Sequence, residues 1–104
     1  MIIKYHSFAI RDMERFREFM RANGAAEERI DHILNGVMDS VLNLEGNPRL
    51  GFSLGARRGF TTPYRAYITD PYIVIYEVVG DTIEVRRIYH QKEDYIRDIL
   101  IIEP

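Results

Sequence analysis

His90 is the side chain in this sequence best suited to moving a proton near neutrality, because an unperturbed imidazole titrates at about 6.5. It sits among cations, with Arg86 and Arg87 before it and Lys92 after it. Between Arg49 and Lys92 seven cations (Arg49, Arg57, Arg58, Arg65, Arg86, Arg87, Lys92) face four anions (Asp70, Glu77, Asp81, Glu84), whereas Met1 to Pro48 holds six cations and eight anions. Any basic surface that could hold a phosphate or a carboxylate therefore belongs to the second half. The whole chain sums to -2, so the global charge of a nucleic-acid binder is missing.

Each of these residues also has a purely structural use. Arg86 and Arg87 are adjacent on an expected strand and should point to opposite faces, leaving one as a cross-strand partner for an acid such as Glu77. A histidine at a strand end can equally be a hydrogen-bonded packing residue. Arg57-Arg58, between Gly55 and Gly59, reads as a solvated loop. Tyr64, Tyr67, Tyr72, Tyr76, Tyr89 and Tyr95 fit sheet packing. There is no cysteine, and His6 and His32 have no ligand-like spacing, so neither a metal site nor a cofactor is expected.

The elements that must position these residues follow from periodicity. At 104 residues with 46% hydrophobic residues, one domain with one core is expected. No signal-like or membrane-spanning stretch occurs, and the absence of cysteine fits a reducing compartment, so the expected location is the cytoplasm. Ile2 to Tyr5 suits a first strand. Ile10, Met13, Phe16 and Met20 recur at helical spacing, with Arg11, Asp12, Glu14, Arg15, Arg17, Glu18 and Arg21 assigned to the solvent side, and Asn23-Gly24 ends that helix. A second helix is expected from about Ala25 into the mid-forties, on the stripe Ile30, Ile33, Leu34, Val37, Met38, Val41 and Leu42; Gly46-Asn47-Pro48 stops it.

Beyond Pro48 the period changes. Leu50 to Leu54 could form a short strand, Tyr64 to Thr69 a second, and Tyr72 to Val79 a third, apolar on both faces and therefore central. Gly80-Asp81 reads as a two-residue hairpin turn into a last strand running to about His90. Tyr95, Ile96, Ile99 and Leu100 predict a short closing helix over Glu93 to Ile102. A helical hairpin over an antiparallel sheet of three to four strands is an α+β domain.

That order resembles the RelE/ParE toxin superfamily, also called the plasmid stabilisation family, over nearly the whole chain. Three stretches carry the resemblance. Ser7-Phe8-Ala9-Ile10-Arg11-Asp12-Met13 is similar to the family's opening, in which an Ala and then an Asp enter the first helix. The segment from Leu44 through Pro48-Arg49-Leu50-Gly51 resembles its helix-ending stretch. The most specific is Tyr72 to Tyr95, which is similar to its C-terminal hairpin ending in an Arg, two apolar or aromatic residues and a His.

The resemblance implies a toxin held in check by a cognate antitoxin that covers the helical hairpin or a sheet edge, as a homodimer or a toxin–antitoxin hetero-oligomer. RelE-like members are similar to ribosome-dependent, metal-independent mRNA endonucleases, and ParE-like members inhibit DNA gyrase by binding it. Cleaving RNA needs cations for the scissile phosphate and an acid or base for the moving protons. At the place after Tyr72 where RelE-like nucleases carry an Arg this chain has Ile73, and Tyr64-Arg65-Ala66-Tyr67 offers one cation where they often offer paired lysines. The sequence therefore favours the ParE-like branch, with the nuclease and a degenerate antitoxin-binding module as alternatives. Arg65, Arg86, Arg87, His90 and Lys92 are the candidates for target contact, His90 is the candidate acid or base, and Arg57 and Arg58 are candidates for gripping antitoxin acids.

Overall fold

A computed structural model describes residues 1–59 and 61–93. The chain order is β1 (Ile2–Tyr5), α1 (Ser7–Ala22), α2 (Glu27–Val41), α3 (Asn43–Gly46), β2 (Phe52–Ser53), α4 (Leu54–Arg58), β3 (Arg65–Thr69), β4 (Tyr72–Val79) and β5 (Thr82–His90). The five strands form one sheet in the order β1-β5-β4-β3-β2. β1 runs parallel to β5, and every other pairing is antiparallel. The α+β class, the helical hairpin and the four antiparallel strands agree with the sequence reading. The closing helix expected from Glu93 to Ile102 falls, past Glu93, outside the described residues.

α1 begins where His6 caps it, its side chain accepting from the Phe8 N–H. It ends at Asn23-Gly24, where Gly24 takes φ +86, a left-handed value that glycine adopts without strain. The chain then folds back into α2. Arg17 bridges to Asp31 at 2.8 Å and to Glu27 at 3.3 Å, and Arg21 bridges to Glu27, so the two helices are tied at the turn.

One face of the sheet packs on this hairpin. Ala9, Phe16, Ile30, Leu34, Val37, Val41 and Leu44 meet Tyr72, Val74, Tyr76, Ile83, Val85 and Ile88. Two details differ from the periodicity. Ile10, expected in the buried stripe of α1, is 44% exposed, and Asp12, assigned to solvent, is 4% exposed. The buried side is Ala9, Asp12 and Phe16, flanked by Met13 and Met20, a rotation that turns Ile10 outward and leaves Asp12 under the sheet edge. Leu42, read into the stripe of α2, is also exposed.

On the other face Leu54, Tyr64, Ala66, Ile73, Ile75 and Tyr89 form a smaller cluster. The Leu50 to Leu54 strand contracts to the two residues of β2, because Ser53 caps a helical turn by accepting from the Ala56 N–H at 3.3 Å. That turn, α4, ends at Gly59 with φ +78. Central β4 is thus buried on both sides as expected, under long helices on one face and under this short turn on the other.

Candidate functional site

Where β1 stops at Tyr5, the edge of β5 would be bare from Arg86 onward. α1 fills the gap with Asp12. Its Oδ2 accepts from the Ile88 N–H at 2.9 Å and from Arg87 Nε at 2.8 Å, while Oδ1 accepts from Arg87 Nη2 at 3.0 Å. A carboxylate buried this deeply is tolerable only because a guanidinium fork and a backbone donor together satisfy it. The pair locks the first helix to the last strand and fixes the direction of the chain into His90.

β5 carries an irregularity at this point. Ile75 pairs with Arg87, but Tyr76 pairs with Val85, so Arg86 has no opposite residue. The extra residue breaks the strict alternation expected for Arg86 and Arg87. Val85 and Ile88 both enter the cluster under the helices, although two residues separate them. Instead of pointing to opposite faces, both arginines lie over rings of the second cluster, Arg86 over Tyr64 at 5.9 Å and Arg87 over Tyr89 at 4.7 Å. Arg86 also approaches Glu77 at 3.6 Å, the cross-strand pairing expected for one of the two.

The candidate residues therefore do not converge on one place. Arg65 opens β3 at the far side of the sheet, where its Nη2 donates to the carbonyls of Gly51 and Arg49, tying the approach to β2 onto β3. His90 and Lys92 lie at the opposite end, in a cleft of about 490 Å³ lined by Arg15, Phe16, Phe19, His90, Lys92 and Glu93. The His90 ring meets Tyr72 edge-on at 5.7 Å, and its Nδ1 accepts from the Lys92 N–H at 3.2 Å. An Nδ1 used as an acceptor leaves the proton of the neutral ring on Nε2, which is then a hydrogen-bond donor. Glu93 closes the turn by accepting from the His90 N–H at 2.9 Å and draws in Arg15 Nη2 at 3.3 Å. The side chains of Arg57 and Arg58, expected to grip an antitoxin, lie outside those described.

Sequence reasoning missed three members of this region. Asp12 was legible in principle, because it shares a helix face with Ala9 and Phe16. Arg15 and Phe19 are brought to His90 only by the docking of α1 on β5, which leaves no local trace in the chain. Among the described residues no group of three His, Cys, Asp or Glu side chains could hold a metal ion. None of the described helices is long and apolar enough to cross a membrane.

Comparison with known proteins fits this architecture. A search of curated proteins gave no significant match. Among solved structures, a chain described as the chromosomal ParDE TA system from P. aeruginosa superposes with a TM-score of 0.70 at 16% identity, over 86% of this chain and 95% of that one, a likeness of fold. The family described as ParE toxin of type II toxin-antitoxin system, parDE, matches residues 3–95. With nearly the whole sequence matched and the expected sheet and hairpin in place, the chain belongs to the ParE toxin family and is a ParE-like toxin of the type II class.

Proposed function

We propose that this toxin arrests growth by binding DNA gyrase, without covalent chemistry of its own, and that a cognate antitoxin neutralises it by covering the same small domain in the cytoplasm. The observation that carries this reading is the commitment of the sheet arginines. Arg65 is held by backbone carbonyls, Arg86 by Glu77 and Arg87 by Asp12. Ile73, at the position where RelE-like nucleases carry an Arg, is buried in the second cluster. A phosphate passing through a cleavage transition state needs several cations preorganised on one surface, and these are spent on holding the fold.

Target contact in this reading falls to the end of β5 and the turn after it, with His90 and Lys92 as the residues that reach outward. Arg65, Arg86 and Arg87 support it from within, a change from their expected role as direct contacts. The nuclease reading keeps one point in its favour, the grouping of His90, Lys92 and Arg15 around one cleft.

Brief expression without antitoxin separates the readings. A supercoiling defect and DNA-damage response with intact mRNA is the expected outcome. Rapid mRNA cleavage during translation with normal DNA topology would move the protein to the RelE-like branch. Healthy cells holding soluble, folded protein would leave only an antitoxin-binding module.

A further inference from the structure

Around the start of β3 the chain encloses a cleft of about 650 Å³ whose polar lining is Asn47, Arg49, Ser53, Thr62 and Arg65. Along β4, Arg65 pairs with Tyr76 and His90 with Tyr72, so this cleft and His90 lie at opposite ends of the sheet. No carboxylate stands among the described residues that line it. Neither Arg49 nor Arg65 forms an ion pair with another described residue. In a chain with 16 acidic and 14 basic residues, two guanidinium groups left unneutralised at one cleft make a local excess of positive charge.

The lining is arranged to donate. Arg65 is held in place because its Nη2 gives to the carbonyl of Gly51 and, at 3.2 Å, to that of Arg49. Those two bonds do not saturate the fork, and Nε is buried with no partner among the described residues. Ser53 Oγ already accepts from the Ala56 N–H at 3.3 Å and Thr62 Oγ1 from the Tyr64 N–H at 3.2 Å, so each keeps a hydroxyl hydrogen to give. The exposed Arg49 side chain borders the cleft from the solvent side. Two cationic forks with two hydroxyls between them select an anion, and they match the three acceptor oxygens of a phosphoryl group better than the two of a carboxylate. The volume falls within the range of small-molecule sites, about 300–1,000 Å³, and Pro48, Pro63 and Val78 add apolar wall beside the donors.

We propose that this cleft binds a phosphate monoester, its phosphoryl oxygens on Arg49, Arg65 and the two hydroxyls and its organic part against Pro48, Pro63 and Val78. The inference stands apart from the toxin reading. Arg65 keeps both carbonyl bonds when the site is filled, and none of the lining side chains exchanges a proton near neutrality, so the ester is held and not cut. With Arg49 on the segment leading into β2 and Arg65 on β3, the bound anion adds a tie across the edge of the sheet. A nucleic-acid backbone is less well matched, because following it takes cations that continue along the surface, whereas Glu45 and Glu77 adjoin the lining residues Gly46 and Val78 in the chain.

The test follows the backbone amide resonances of the full chain as inorganic phosphate or phenyl phosphate is added at constant ionic strength, with sodium chloride as the reference, at a pH well above the second phosphate pKa of about 6. Saturable shifts at Gly51, Ser53 and Thr62 are expected, with phenyl phosphate the tighter ligand and a melting temperature raised by either. Arg49→Glu should weaken both by about tenfold or more, the loss of one charge-assisted contact. It should leave the melting temperature of the ligand-free protein unchanged, since Arg49 meets Arg65 through its backbone carbonyl. Arg49→Gln should fall between the two, and Arg29→Glu, an exposed cation on α2, should bind as wild type. Shifts that only follow ionic strength, or saturable binding untouched by either Arg49 variant, would overturn the proposal. Phenyl phosphate no tighter than inorganic phosphate would overturn the ester assignment. A twelve-base-pair DNA duplex that binds more tightly than phenyl phosphate through the same amides would overturn it too, assigning the cleft to a nucleic-acid backbone.

Discussion

Asp12 joins α1, the Arg87 side chain and the backbone of β5 through a single carboxylate, so its removal takes an acceptor from a partly buried guanidinium and from a buried N–H. Breaking a buried pair on one side costs about 3–5 kcal/mol. Asp12→Ala should lower the urea midpoint by a corresponding amount, with Asp12→Asn less harmful because its amide oxygen can still accept one of the bonds. Arg87→Ala should be destabilising for the same reason, so any loss of toxicity it causes would be a loss of folded protein. His90→Ala and Lys92→Ala leave that link intact and should reduce growth arrest at unchanged melting temperature. Growth assays beside thermal melts of the Arg87, His90 and Lys92 variants distinguish contact from support. Wild-type toxicity in both His90→Ala and Lys92→Ala would remove the end of β5 from the mechanism.

The elements around Gly51 are as tightly specified as the Asp12 link. A Cβ at this residue would stand 2.5 Å from the Ala66 carbonyl oxygen and 2.9 Å from the Tyr76 ring, with backbone on one side and a core side chain on the other. The Tyr76 hydroxyl also donates to the Pro48 carbonyl at 2.7 Å and accepts from the Gly51 N–H at 3.1 Å. Gly51→Ala should therefore cost about 1–3 kcal/mol through overpacking. Tyr76→Phe should cost about 1–3 kcal/mol by stranding the buried Gly51 N–H and the partly buried Pro48 carbonyl. Denaturant titration measures both, and a neutral result at Gly51 would mean that β2 can slide away from β3. At the turn between α1 and α2, the hydrogen bond from Arg21 holds the Glu27 pKa below its ordinary value of 4.5. A carboxylate depressed in the folded state contributes stability that is present above 4.5 and lost as pH falls through the lower folded value. Both groups are fully exposed, so Glu27→Gln should change acid unfolding only slightly, and more at low salt than at high.

These elements were largely legible in the sequence where burial imposes a long period. α1, α2, the β4–β5 hairpin and its Gly80 turn, at φ +59, follow from apolar spacing and turn chemistry. Three things escaped it. A five-residue turn such as α4 is too short to show a period. One inserted residue at Arg86 reverses an alternation without altering composition. Asp12 shares the helix face of Ala9 and Phe16, but the reason for burying an acid there appears only once β1 proves too short to cover β5.

On the scale of the molecule, that shortness of β1 brings the two halves of the sequence together. Of the basic side chains that composition placed in the second half, Arg65, Arg86 and Arg87 are tied down on the sheet, and Lys92 stands at the end of β5 beside Arg15 from the more acidic first half. The most direct test of the proposed action is a supercoiling assay with purified DNA gyrase, relaxed plasmid and the purified toxin, run beside a translation reaction programmed with a defined mRNA. Inhibition of supercoiling that rises with toxin concentration, is relieved by antitoxin, and leaves the mRNA whole is the expected result. Full supercoiling at saturating toxin, with the mRNA cut on the ribosome, would contradict it.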